Sequence, residues 1–254
     1  MDHTQTVARG RDTWRARTLA GLLAMALVVA ASVTAVGAQG PSSGKGGGMV
    51  EEDPVFVTRD CWWPIPSSVP SHTTITCGTV EVPADRDHPG QGHGLAKGRE
   101  GDTISLAVVR IHRAGADPDA PPTVYLHGGP GGDVLTQAPA GLATNRTLVE
   151  RDLIAFDQRG VGLTTPSLDC PEKEDAILDA IGAAAPWREE LAANQAAVRA
   201  CRDRLVGQGI DLDDYDTPAS VADMESIRRA MDVETWNVWG GSYGTRLGLH
   251  YART

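Results

Sequence analysis

Hydrophobic and polar positions follow two different periods along this chain. Thr76-Cys-Gly-Thr-Val-Glu-Val82 alternates with a period of two and stops at Pro83, the pattern of a half-buried strand. Thr103–Ile111 repeats it after a polar, glycine-rich stretch from Asp85 to Gly101, and the two predict an antiparallel pair. Pro121–Leu126 and Asp152–Phe156 are short and largely apolar, and glycine loops bound them. Such runs suit parallel strands buried on both faces. The period then changes to 3.6. Trp187–Val206 reads as a helix with Leu191, Val198, Cys201 and Leu205 on one face, which predicts a buried Cys201. Thr217-Pro218 places a cap before a proline at the first helical position, and Val221, Met224, Ile227 and Met231 form the inner stripe of that helix. Trp236–Trp239 returns to strand character and runs into a glycine turn and a last helix. This order predicts the front half of a doubly wound, mostly parallel α/β sheet. No internal repeat is present.

The turn after Trp239 carries the first chemical motif. Gly240-Gly-Ser-Tyr-Gly244 is a G-x-S-x-G sequence between a strand and a helix, the pattern of a nucleophile elbow. The tight turn strains the serine backbone and lifts the Ser242 hydroxyl clear of the fold. Gly240 and Gly244 are required because a Cβ at either place would meet the facing strand or helix. A helix starting at Ser242 puts its free N–H groups and its positive end beside the hydroxyl. The Tyr243 N–H then points to where an oxyanion would form. As a bare pattern, G-x-S-x-G also occurs in ordinary turns.

His127-Gly-Gly-Pro-Gly-Gly132 follows the strand Thr123–Leu126 and is the second motif. A phosphate cradle would need G-x-x-x-x-G-K-[ST] or G-x-G-x-x-G, and neither is present. The reading that fits is the other half of an oxyanion hole, with Gly129 supplying the N–H and Gly128 as the alternative. His127 precedes the glycines and is expected to brace the loop rather than to act as a base. Asp157 and Arg159 follow the strand ending at Phe156. They are read as a charged pair and turn that hold loops at the sheet's edge.

Composition narrows the class. The chain has 254 residues, 41% hydrophobic and 22% charged, enough for one large domain. Its net charge of −10, with no basic run beyond the leader, argues against nucleic acid as a partner. Arg9, Arg11, Arg15 and Arg17 precede an uncharged stretch from Thr18 to Gly44, and Val36-Gly37-Ala38 offers small residues for cleavage. Residues 1–38 read as a signal peptide, with an uncleaved membrane anchor as the competing reading. Both place the remainder outside the cytoplasm, so contact with a membrane is expected only during export or through an uncleaved leader. Residues 39–54 read as a flexible spacer and 55–254 as the folded part. The four cysteines allow three pairings, of which the local one, Cys61 with Cys77 and Cys170 with Cys201, is favoured because each bridge closes a modest loop. With no C-x-x-C and no histidine at ligand spacing, no metal and no cofactor is expected.

Taken in order, His127–Gly132, Asp157–Gly162 and Gly240–Gly244 resemble the α/β-hydrolase superfamily. More narrowly they resemble exported serine exopeptidases of the prolyl iminopeptidase and tripeptidyl aminopeptidase group. Cys77–Pro83, Pro166-Ser-Leu-Asp-Cys-Pro171 and Tyr215-Asp-Thr217 with Asp223 resemble the secreted tripeptidyl aminopeptidase branch. The resemblance covers roughly residues 55–254. It implies an α/β-hydrolase fold and release of amino-terminal peptides through an acyl-enzyme on Ser242. The substrate would be a peptide, or a small ester if the chain is an esterase of the same fold. A non-catalytic exported binding module, or the product of a decayed gene, is the reading from another class.

The departure from this family lies in the triad. Its order is Ser, then Asp or Glu, then His. No acid follows Ser242, and His250 is eight residues on, about 12 Å along a helix at ~1.5 Å per residue. The expectation is an N-terminal half of the hydrolase domain, truncated after the elbow and inactive alone.

Overall fold

A computed structural model describes residues 53–65, 67–87, 103–113, 115–117, 119–136, 139–144 and 151–254. The leader and nearly all of the spacer lie outside the described residues. So does most of the connection between Asp85 and Gly101. Six strands form one mixed sheet: β1 (Phe56–Arg59), β2 (Thr73–Pro83), β3 (Thr103–Arg113), β4 (Thr123–Leu126), β5 (Leu153–Phe156) and β6 (Asn237–Gly240). Their spatial order is β1-β2-β3-β5-β4-β6. β1, β2 and β3 form an antiparallel meander, and β5 joins β3 antiparallel. β5, β4 and β6 are mutually parallel, with Thr123 opposite both Leu153 and Asn237. β5 is therefore an interior strand.

Alternation along the strands sends side chains to two cores. Ile104, Leu106, Val108, Val124, Leu126, Ile154 and Phe156 face one side. There they meet Val221, Met224 and Ile227 of α4 (Thr217–Ala230) and Leu247 of α5 (Tyr243–Tyr251). Ala107, Val109, Ile111, Leu153 and Ala155 face the other side, against Val134, Leu135 and Leu142, the last on α1 (Pro139–Thr144). Every residue of β5 is buried because helix or loop covers both of its faces.

Two helices, α2 (Pro171–Ala183) and α3 (Trp187–Gly207), pack on each other. The buried side of α3 is Ala197, Cys201 and Leu205, spaced by four. Leu191 and Val198 are about half exposed, which corrects their expected place on the inner face. Ala197 lies on the opposite side of the Cys201–Leu205 line from Leu191 and Val198, so the buried stripe is rotated away from them.

The disulfides join Cys61 to Cys77 and Cys170 to Cys201, with Cα atoms 5.2 and 5.4 Å apart. The first ties the chain after β1 to β2, and the second ties the start of α2 to α3. No residue of α2 is fully buried, so the second bridge and the Arg204–Glu172 pair add to its packing on α3. Replacing Cys170 and Cys201 together by serine is expected to lower unfolding free energy by about 2–3 kcal/mol. Urea titration of the two oxidised proteins checks this. Among the described residues, no helix is long and apolar enough to cross a membrane.

Candidate active site

β6 delivers Ser242. The strand pairs with β4 as far as Leu126 opposite Gly240, and Gly241 N–H still donates to the Leu126 carbonyl at 3.1 Å. The chain then reverses at once: Gly244 N–H donates to Gly241 O at 2.8 Å and Thr245 N–H to Ser242 O at 3.0 Å. Ser242 takes φ 52° and ψ −121°, a left-handed conformation that costs a non-glycine residue about 1–3 kcal/mol. It caps α5 without using its hydroxyl in the cap, and the residue is exposed. α5 thus begins one residue later than the sequence reading placed it. Tyr243 is its first residue, so the Tyr243 N–H has no partner within the helix.

The glycines on either side permit this turn. A Cβ on Gly240 would lie 2.5 Å from the Gly244 carbonyl oxygen, and one on Gly244 would run into the Leu126 carbonyl of β4. The glycine loop comes from the end of β4. A Cβ on Gly128 would sit 2.9 Å from Ser242 Cβ and 3.4 Å from its Oγ, so Gly128 is buried against the serine. Gly129 is exposed, with φ 120°, and precedes Pro130. Gly132 N–H returns to the Gly128 carbonyl at 3.3 Å and closes the loop.

His127 is held within this loop. Its Nδ1 is 3.0 Å from the Tyr125 hydroxyl, and its ring lies where a side chain on Gly132 would collide with it. The Tyr125 ring in turn packs 4.8 Å from the exposed Trp239 of β6. Among the described residues, no side chain hydrogen-bonds to the Ser242 hydroxyl, and His250 stands near the far end of α5.

Asp157 and Arg159 do not pair with each other; each takes a different partner. Asp157 accepts from Val134, Leu135 and Leu163 N–H at 2.8, 3.1 and 2.9 Å. Burial lifts its carboxyl above the ordinary range, the three N–H donors oppose this, and the nearby Asp133 charge adds to the rise. Arg159 forks onto Asp223 of α4 with two bonds of 2.7 Å and also donates to the Ala84 and Asp214 carbonyls. Arg86 reaches the same carboxylate and Ser226. Thr217, at the start of α4, meets the Tyr243 hydroxyl at 2.9 Å. β5, α4 and the elbow are thereby fastened together.

Sequence reasoning assigned no role to Gln158, whose Nε2 donates to the His127 carbonyl at 3.2 Å. It also passed over Arg86, and it read Thr217 as the helix cap, a place taken by Asp216, whose carboxylate accepts from Ala219 N–H at 2.8 Å, so that Thr217 is the first helical residue. The signal for Asp223, beyond the resemblance, is an acid set inside the apolar stripe of α4, a place that demands a cationic partner. Tyr215 lies beside this cluster. Burial, with the Asp214 and Asp223 charges, pushes its phenol up to about 12, while Arg159 works against the rise. The folded state therefore favours the neutral phenol. Its contribution to stability is complete below the ordinary value of 10.0 and is lost as pH rises from there through about 12. Ultraviolet titration is expected to show one tyrosine ionising near pH 12 that disappears in Tyr215→Phe.

Two depressions of about 530 and 360 Å³ surround Arg110 and His112, beside Asp152 ahead of β5, and neither includes Ser242. Among the described residues, Cys170, Glu172 and Cys201 are the one group with metal-ligand spacing. Their sulfurs are bonded to each other and Arg204 occupies Glu172, so this group is a staple.

A serine on a strained strand-turn-helix, with a glycine loop from the neighbouring parallel strand laid against it, defines an α/β protein of the nucleophile-elbow kind. The chain belongs to the alpha/beta hydrolase fold family, whose family model matches residues 121–254, more than half of its length. It is 28% identical over 247 residues to the serine protease Hip1 of Mycobacterium tuberculosis, a match covering 92% of this chain and 42% of that one. It is 32% identical over 189 residues to the tripeptidyl aminopeptidase of Streptomyces lividans, covering 70% and 32%. Carboxylesterase B of Mycobacterium tuberculosis is 33% identical over 180 residues, covering 66% and 31%. Two of these three relatives carry peptidase names and the third an esterase name. The chain spans less than half the length of the curated relatives it matches.

Proposed function

We propose that this chain carries the nucleophile and oxyanion-binding part of an exported serine aminopeptidase. Ser242 attacks the carbonyl carbon of a peptide near its free amino terminus. The Tyr243 N–H and an N–H of the Gly128–Gly129 pair take the charge that develops on the carbonyl oxygen. The amino-terminal fragment is held as an ester on Ser242 and then released to water. The observation that carries this reading is the positive φ of Ser242 with Gly128 packed against its side chain. A binding module has no use for a serine strained into the open. Two disulfides among the described residues suit an oxidising compartment outside the cytoplasm.

By the chain order of the triad in this fold, the general base and its acid are assigned after the elbow helix and beyond these 254 residues. Among the described residues no side chain reaches the Ser242 hydroxyl, and His250 stands near the far end of α5. Without that base the alcohol stays a poor nucleophile, and only the residual catalysis of the oxyanion hole and binding is left. Residues 1–254 alone are therefore expected to be inactive. The similarity to carboxylesterase B supports a second reading, an esterase of the same fold.

The test compares the 254-residue protein with the complete product of its reading frame, each beside Ser242→Ala. The substrates are chromogenic amides of one, two and three residues with free amino termini, and simple esters. Ser242-dependent cleavage of the amides by the complete product supports the aminopeptidase and gives the length released. Cleavage of esters alone selects the esterase. Absence of both overturns the hydrolase reading. Ready turnover by residues 1–254 overturns the placement of the base.

A further inference from the structure

We infer that Gln158 is a positioning residue for the glycine loop, and that it sets the direction of the Gly128 N–H by holding the carbonyl on the other side of the same peptide bond. This inference rests on the hydrolase reading of Ser242. A trans peptide is planar, with its C=O and N–H pointing opposite ways. The His127–Gly128 bond is trans, since the cis bonds among the described residues are Gly129-Pro130 and Thr165-Pro166. Fixing the His127 oxygen therefore fixes where the Gly128 N–H aims.

The loop cannot fix that plane by itself. Four of its six residues, Gly128, Gly129, Gly131 and Gly132, have no side chain with which to pack. Gln158 supplies the missing restraint through its 3.2 Å bond from Nε2 to the His127 oxygen. Gln158 is only 8% exposed, which keeps competing water away from that bond. Its own place is secured on both sides. Asp157 before it accepts three backbone N–H bonds, and Arg159 after it is forked onto Asp223. Asp157 also grips the chain just beyond the loop at Val134 and Leu135. Adjacent residues at the end of β5 thus hold the glycine loop at its start and just past its end. The position calls for a donor of this length. A carboxylate there would face the carbonyl oxygen with negative charge.

A glutamate in place of this glutamine keeps the shape and removes the donor, so Gln158→Glu is the main variant and Gln158→Leu the second. Steady-state kinetics are measured on the complete Ser242-dependent enzyme with an ester and its matched thionoester. Oxyanion-hole donors favour a developing O⁻ far more than a developing S⁻. Both variants are expected to lower kcat for the oxygen ester about 10–100-fold, below the full cost of losing one donor. KM is expected to stay within about twofold and the thionoester rate within about threefold. Val221→Ala, a core change in α4, lowers Tm but keeps the wild-type ratio of oxygen to sulfur rates. Equal losses on both substrates in the Gln158 variants, or no loss on either, overturn the inference. A crystal structure of Gln158→Glu decides the geometry without catalysis. A turned His127–Gly128 peptide supports the inference, and a plane unchanged from wild type overturns it. Lack of Ser242-dependent turnover in the wild type defeats the hydrolase reading, and the crystal structure still decides the restraint.

Discussion

Replacing Gly244 by alanine is expected to destabilise the protein by about 3 kcal/mol or more. The sign makes this prediction informative. Gly244 lies inside α5, and in an ordinary helix interior alanine is better than glycine by about 0.5–1 kcal/mol. Here the added methyl would run into the Leu126 carbonyl, with its carbon 2.7 Å away and the His127 oxygen at 3.1 Å. The obstructing atoms are backbone at the end of β4, next to a strand core that is fully buried, so they cannot swing aside as a long side chain would. Relief requires α5 to move off the sheet, which would expose Leu247 and withdraw Ser242 from Gly128. Urea unfolding of Gly244→Ala, with Gly182→Ala as a helical glycine whose Cβ would meet open space, makes the comparison. A neutral or stabilising Gly244→Ala would mean that helix and strand are not in this contact.

The second large effect concerns charge. Asp223→Ala is expected to cost about 3–5 kcal/mol, the range for breaking a buried ion pair from one side. Asp223 and the Arg159 side chain are each 1% exposed, and Arg86 is 14% exposed. Removing the carboxylate leaves the Arg159 guanidinium without a counter-charge, and the Ala84, Asp214 and Pro83 carbonyls do not neutralise it. Replacing the two most buried partners by apolar residues, Asp223→Leu with Arg159→Met, removes the Arg159 charge as well as its bond and leaves the less buried Arg86 with Ser226. The double variant is expected to be more stable than Asp223→Ala, even though more of the network is gone. Chemical denaturation of the single and double variants checks this. A cost below about 1 kcal/mol for Asp223→Ala is what an exposed pair would give, and would contradict the burial.

The features legible in the sequence were those set by local chemistry. The strand β5 announces itself because all four of its residues are apolar and buried, and β4 nearly so, with Tyr125 partly exposed and Thr123 its one buried hydroxyl. Gly240 and Gly244 stand out because their turn excludes any side chain. The cysteine pairs could be chosen because short loops close at lower entropy. What escaped notice lacked such a signal. α2 buries no residue, so it shows no apolar stripe to read. β1 has four residues, of which only Phe56 is even partly buried. Leu191 and Val198 share the heptad spacing of Cys201 and Leu205, yet α3 turns them toward solvent because it rests mainly on α2. The partners of Asp157, Gln158 and Arg159 are non-local. Gln158 finds His127 31 residues away and Arg159 finds Asp223 64 away, and no local pattern encodes such a choice.

Trp239 gives the protein an optical probe of its own site. It sits three residues before Ser242, 41% exposed, with its ring against Tyr125. Indole emission shifts with the polarity of its surroundings, and this indole shares strand β6 with the nucleophile. A molecule settling over the elbow dries that surface and moves the emission toward the blue. The five other tryptophans of the chain supply a constant background, which a Trp239→Phe protein subtracts. Occupancy of the elbow can thus be followed by light alone, with Ser242 replaced and no bond broken.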